Sequence, residues 1–112
     1  MKAPYVRINQ VKTLVLSKAL GNALGLLPDK VYPFIVHPND NSIDIMIFPP
    51  EYFTGCWLAA DTHPKSKAHR FKAGRGEALA NVFNVQGFKN LTNYKVVDII
   101  PKVKFTITKE VI

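Results

Sequence analysis

Five of the chain's fifteen Lys and Arg residues fall within the single stretch 61–75, as Lys65, Lys67, Arg70, Lys72 and Arg75, against one acid, Asp61. Ammonium and guanidinium groups at this density neutralise phosphates and release counterions, and Gly74 and Gly76 let the backbone follow a phosphate chain closely. The plain alternative is a solvated basic loop with no partner. Phe71, inside the stretch, is placed either to stack on an exposed base or, the stronger expectation, to anchor the segment to the core. His63 and His69 lie within the same stretch, but with His37 they lack a constellation of carboxylates or thiols, Asp61 being the one acid nearby. Cys56, the sole cysteine, excludes an intrachain disulfide and reads as a small buried hydrophobe between Gly55 and Trp57.

Catalytic chemistry finds little footing. The sequence has no phosphate-cradling loop ending in Lys and Ser or Thr, no nucleophile elbow and no paired acidic motif. Asp40, Asp44, Asp61 and Asp98 read as turn and surface residues. The chain is therefore expected not to be an enzyme and to hold neither metal nor cofactor. A formal charge of +7 over 112 residues, with a pI near 9.7, is a statement about partners, and polyanions come first.

The elements that must position these cations follow from periodicity. Hydrophobic content of 47% is ample for one packed domain spanning 1–112. The apolar runs are too short to span a bilayer, and Met1-Lys2-Ala3-Pro4 lacks a signal-peptide core, so a cytoplasmic location without membrane contact is expected. Tyr5 to Asn9 and Val11 to Leu16 read as strands. Ser17 stands at a helix N-cap, followed by an apolar stripe of Ala19, Leu20, Ala23 and Leu24 and by Gly25 near the C-terminal end. Val31 to His37 and Ile43 to Phe48 form a hairpin around the turn formers 38–42, with Pro33 expected at an edge. Glu51 to Ala60 fits either a short helix or a strand. Phe71 to Arg75, a helix from Gly76 or Glu77 to Val85, and strands Tyr94 to Ile100 and Val103 to Thr108 complete the chain.

The two helical phrases echo one another. Residues 18–26 and 77–85 carry apolar side chains at the same five places and an asparagine, Asn22 or Asn81, in the same position. Either asparagine could read an adenine edge, although a solvent-facing role is expected first. The helices align at an offset of 59 and the strands 43–47 and 103–107 at 60. This predicts an internal repeat, approximately 5–48 and 69–109, of two β-α-β-β units in a β-rich α+β fold.

The first unit, Thr13 to Leu26 with its Leu24-Gly25-Leu26 phrase, then Asp29-Lys30-Val31 and the hairpin to Phe48, resembles the AbrB/SpoVT swapped-hairpin family. Ala73-Gly74-Arg75 is similar to the Gly-Arg turn that many members carry. Two units in one chain are similar to the MraZ branch. The first unit departs from the pattern in having Asn9-Gln10 near the Gly-Arg position, and the second in having Phe83-Asn84-Val85 where the Leu-Gly-Leu phrase would fall. The resemblance implies a small interleaved barrel that binds duplex DNA and regulates transcription. It adds Arg7 and Lys12 of the first unit to Arg70, Lys72 and Arg75 of the second as binding positions.

The expected partner is thus DNA, with RNA as the variant reading, and the expected assembly a monomeric pseudo-dimer or a homodimer. A second class of function stays open. Tyr52, Phe53 and Trp57, outside both units, could serve an inhibitor or adaptor as a protein contact, or pack between the units.

Overall fold

Alternation of buried and half-exposed residues sets the strands on a sheet with one dry face. Val6 and Ile8 are buried in Tyr5–Ile8 (β1), and Ile43, Ile45 and Ile47 are buried in Ser42–Ile47 (β4). The computed structural model describes residues 3–8, 14–52, 56–60, 71–74, 85–89 and 91–112. Its other strands are Leu14–Leu16 (β2), Tyr32–Pro38 (β3), Cys56–Ala60 (β5), Phe71–Gly74 (β6), Thr92–Ile100 (β7) and Lys104–Val111 (β8), with one described helix, Lys18–Leu24 (α1). The segment 51–60, open between helix and strand in the sequence, thus supplies β5.

The chain is β-rich, and its strands close into an eight-stranded antiparallel barrel in the order β1-β2-β6-β5-β3-β4-β8-β7, with β7 returning to β1. Closure pairs each described strand on both sides, and eight strands give an interior just wide enough for side chains to fill. Phe34, Leu58, Phe71 and Phe105 occupy it with Ile43, Ile45 and Ile107, each at most 2% exposed. Phe71 is therefore a core anchor, its ring edge-on to Tyr32 at 6.5 Å. The strand order is unchanged when β1–β4 are exchanged with β5–β8. In β4·β8, Ile45 faces Phe105. In β2·β6, the register that pairs Val15 with Lys72 puts Leu14 opposite Ala73 one residue on.

Closure also overturns the edge position of Pro33. β3 lies between β4 and β5, and Pro33 is tolerated because its carbonyl and missing N–H share the side facing Phe48, where β4 has just ended. Phe48 N–H donates to the Pro33 carbonyl at 2.8 Å, and no reciprocal donor is required beyond the strand end.

Ser17 caps α1 as expected, its Oγ accepting the Leu20 N–H at 3.2 Å and also the Tyr5 N–H at 3.0 Å. This ties the helix start to β1. The buried face of α1 is Leu20, Gly21 and Leu24, whereas Ala23, assigned to the apolar stripe by spacing, is exposed. The helix face that meets the barrel carries Gly21 rather than Ala23.

One local device occurs twice, at an offset of 62. Gly25 and Gly87 adopt left-handed φ of 69° and 85°, Leu26 and Phe88 after them are buried, and the next N–H donates to a tyrosine hydroxyl. Leu27 N–H reaches Tyr32 at 3.0 Å and Lys89 N–H reaches Tyr94 at 2.7 Å. The structural counterpart of Leu24-Gly25-Leu26 is therefore Gln86-Gly87-Phe88, not Phe83-Asn84-Val85. The second helix, predicted from Gly76 or Glu77 to Val85, lies outside the described residues apart from Val85.

Candidate nucleic-acid interface

Residues directly opposed across neighbouring strands share a face of the sheet. Since Val6 and Ile8 point into the barrel, Arg7 points out, opposite Asn93 on β7 and Val15 on β2. Val15 in turn faces Lys72 on β6, and Lys72 faces Ala59 on β5. One outward row therefore crosses five adjacent strands as Asn93, Arg7, Val15, Lys72 and Ala59. Arg7 is half-buried and Lys72 exposed, two interstrand spacings or about 10 Å apart.

The row has an apolar centre and a polar end. Val15 is only 7% exposed although it faces outward, between two side chains whose aliphatic stems can lie over it while their charged heads reach solvent. At the other side of Arg7, Asn93 Oδ1 is buried with no hydrogen-bond partner among the described residues.

Of the cations singled out in the sequence, the structure brings Arg7 and Lys72 onto this common face. Lys12, Lys65, Lys67, Arg70 and Arg75 lie outside the described residues. Gly74 closes β6 opposite Trp57 and so belongs to the ladder. Asn22 is exposed on α1, and Asn81 lies outside the described residues.

The aromatic group proposed as a protein contact is divided. Tyr52 is 57% exposed beside Phe48, with ring centroids 6.0 Å apart, in a turn closed by its N–H to the Pro49 carbonyl. Trp57 is half-buried on β5, outward like Ala59, and is the diagonal neighbour of Lys72 across the β5·β6 ladder. Phe53 lies outside the described residues. Sequence spacing missed the association of Trp57 with Lys72, because it depends on a pairing between strands distant in the chain.

A second polar cluster lies across the β4·β8 ladder, and it revises the reading of Asp44 as a surface residue. Asp44 Oδ1 accepts from Thr106 Oγ1 at 2.5 Å and lies 3.6 Å from Lys104 Nζ, while Oδ2 accepts from Asn39 Nδ2 at 3.1 Å. The Thr106 hydrogen bond, then those of Asn39 and the Lys104 charge, hold the Asp44 carboxyl below its ordinary 3.8 against the opposing effect of burial. With every oxygen engaged, this cluster fastens two strands.

Among the described residues no group of three or more His, Cys, Asp or Glu is placed to hold a metal ion, and no helix is long and apolar enough to cross a membrane. Cys56 is half-buried against the core, and burial pushes its thiol pKa up, away from nucleophilic character. No family model, curated protein or solved structure matches the chain.

Proposed function

We propose that this protein binds duplex DNA without catalysis, through the outward face of β7, β1, β2, β6 and β5, and acts as a transcriptional regulator. The observation that carries the reading is the row in which Arg7 and Lys72 stand on one face at about 10 Å, reached from opposite halves of the chain. Two fixed cations on a rigid sheet give phosphates a defined register, and the +7 charge of the chain supplies the long-range attraction. In this reading the barrel is a swapped-hairpin arrangement, with β1–β4 and β5–β8 as its two interleaved units and one chain doing the work of a dimer. Its support is the strand order that survives exchange of the halves.

Trp57 provides the test, being the sole tryptophan and the diagonal neighbour of Lys72. Its emission is expected to change on titration with mixed-sequence duplex, in parallel with fluorescence anisotropy of the labelled DNA. Arg7→Ala and Lys72→Ala each weaken binding about equally for unrelated sequences, as phosphate contacts do, whereas Tyr52→Ala leaves it unchanged. Unchanged binding in both cation variants would reject DNA binding through this face, and absence of duplex binding by the parent would reject the polyanion reading.

A further inference from the structure

We propose that the groove between the end of α1 and the β7–β8 turn is a binding site for a small organic anion with a flat apolar body, such as an aromatic carboxylate or sulfonate. The groove encloses about 330 Å³, within the range of small-molecule sites. Leu27, Tyr32, Phe48 and the Pro49-Pro50 pair supply apolar walls, and Lys30 and Lys102 supply cations. Glu51 is the one acid of the lining, so positive charge prevails there.

Its walls are fixed in advance by backbone contacts. Tyr32 hydroxyl holds the Leu27 N–H at 3.0 Å, and Lys30 N–H closes the turn on the Leu27 carbonyl at 3.2 Å. Lys102 stands in the left-handed region at φ 61°, its N–H bonded to the Leu24 carbonyl at 3.0 Å. Its Cε passes 3.7 Å from where a side chain on Gly25 would begin. Neither Lys30 nor Lys102 has an ion-pair partner among the described residues, although Lys95 and Lys104 each do. Two cations unpaired among the described residues, over a preformed apolar floor, match a ligand that offers an anion at one end and a ring at the other.

The probe is anilinonaphthalene sulfonate, with uncharged N-phenylnaphthylamine as its counterpart, titrated against the intact native chain. Expected is saturable binding of one sulfonate probe per chain, with amide shifts concentrated at Leu27, Tyr32 and Lys102. The exposed pair Lys30→Gln and Lys102→Gln together weakens the sulfonate about tenfold or more while leaving the uncharged probe's affinity in place. Leu27→Trp, at a position 48% exposed, fills the mouth and reduces both probes. Absence of saturable binding, shifts centred elsewhere, or a double lysine variant that binds the sulfonate like the parent would overturn the proposal.

Discussion

Ser17 and Asp44 are small residues with contacts that reach across the fold. Ser17 is 5% exposed, and its Oγ serves two amide donors, one in its own helix and one on β1. Ser17→Ala leaves a buried donor, Leu20 N–H, and a half-buried one, Tyr5 N–H, without that acceptor and is expected to cost about 1–2 kcal/mol, read as a lower midpoint in urea denaturation. Asp44 adds a pH dependence whose sign follows from its lowered pKa. The carboxylate is favoured by the native state, so its contribution is fully present above the unfolded value near 3.8 and is lost as pH falls through the still lower folded value. Asp44→Asn should therefore lower stability at neutral pH and flatten the decline of melting temperature below about pH 4. A parallel acid decline in parent and variant would refute this role. The sequence made Ser17 legible because capping is a local rule, whereas Asp44 was not, because Thr106 and Lys104 are distant in the chain and meet it only through the β4·β8 ladder.

At the scale of elements, the paired turns at Gly25 and Gly87 are the clearest regularity. Both glycines hold left-handed φ values and direct the following buried residue and N–H toward the barrel. A side chain at either position is strained by about 1–2 kcal/mol, so Gly25→Ala and Gly87→Ala should each lower the thermal midpoint by similar amounts. A neutral effect at Gly87 would deny that the two turns are equivalent. Strand alternation and turn formers made β1, β3, β4, β7 and β8 readable, since those signals are local. Pro33 misled because the edge rule assumes that every interior position needs a ladder donor, and at Pro33 the neighbouring strand has already ended. The 83–85 alignment rests on apolar spacing alone and lies outside the described residues apart from Val85, whereas the left-handed turn falls at Gly87. The 51–60 segment was undecided because burial on β5 depends on β3 and β6, which flank it only in the closed barrel.

At the scale of the whole molecule, four of the eight pairings join β1–β4 to β5–β8, namely β1·β7, β2·β6, β3·β5 and β4·β8. Neither half can then close a sheet alone. Fragments 1–52 and 53–112 should lack a sharp unfolding transition as separate monomers and regain one when mixed, by circular dichroism with size exclusion. A cooperative monomeric 1–52 fragment would contradict interleaving. The same closure explains why the candidate interface was only partly legible: the sequence gathered cations along the chain, but the row from Arg7 to Lys72 exists because β2 pairs with β6. The most direct test of that row is the salt dependence of duplex binding, measured by anisotropy for the parent and for the Arg7→Ala, Lys72→Ala double variant. Each phosphate contact adds about 0.9 to the slope of log affinity against log salt, so the double variant should bind more weakly with a slope shallower by about 2. No binding by the parent at about 50 mM salt, or an unchanged slope in the double variant, would contradict DNA binding through this face.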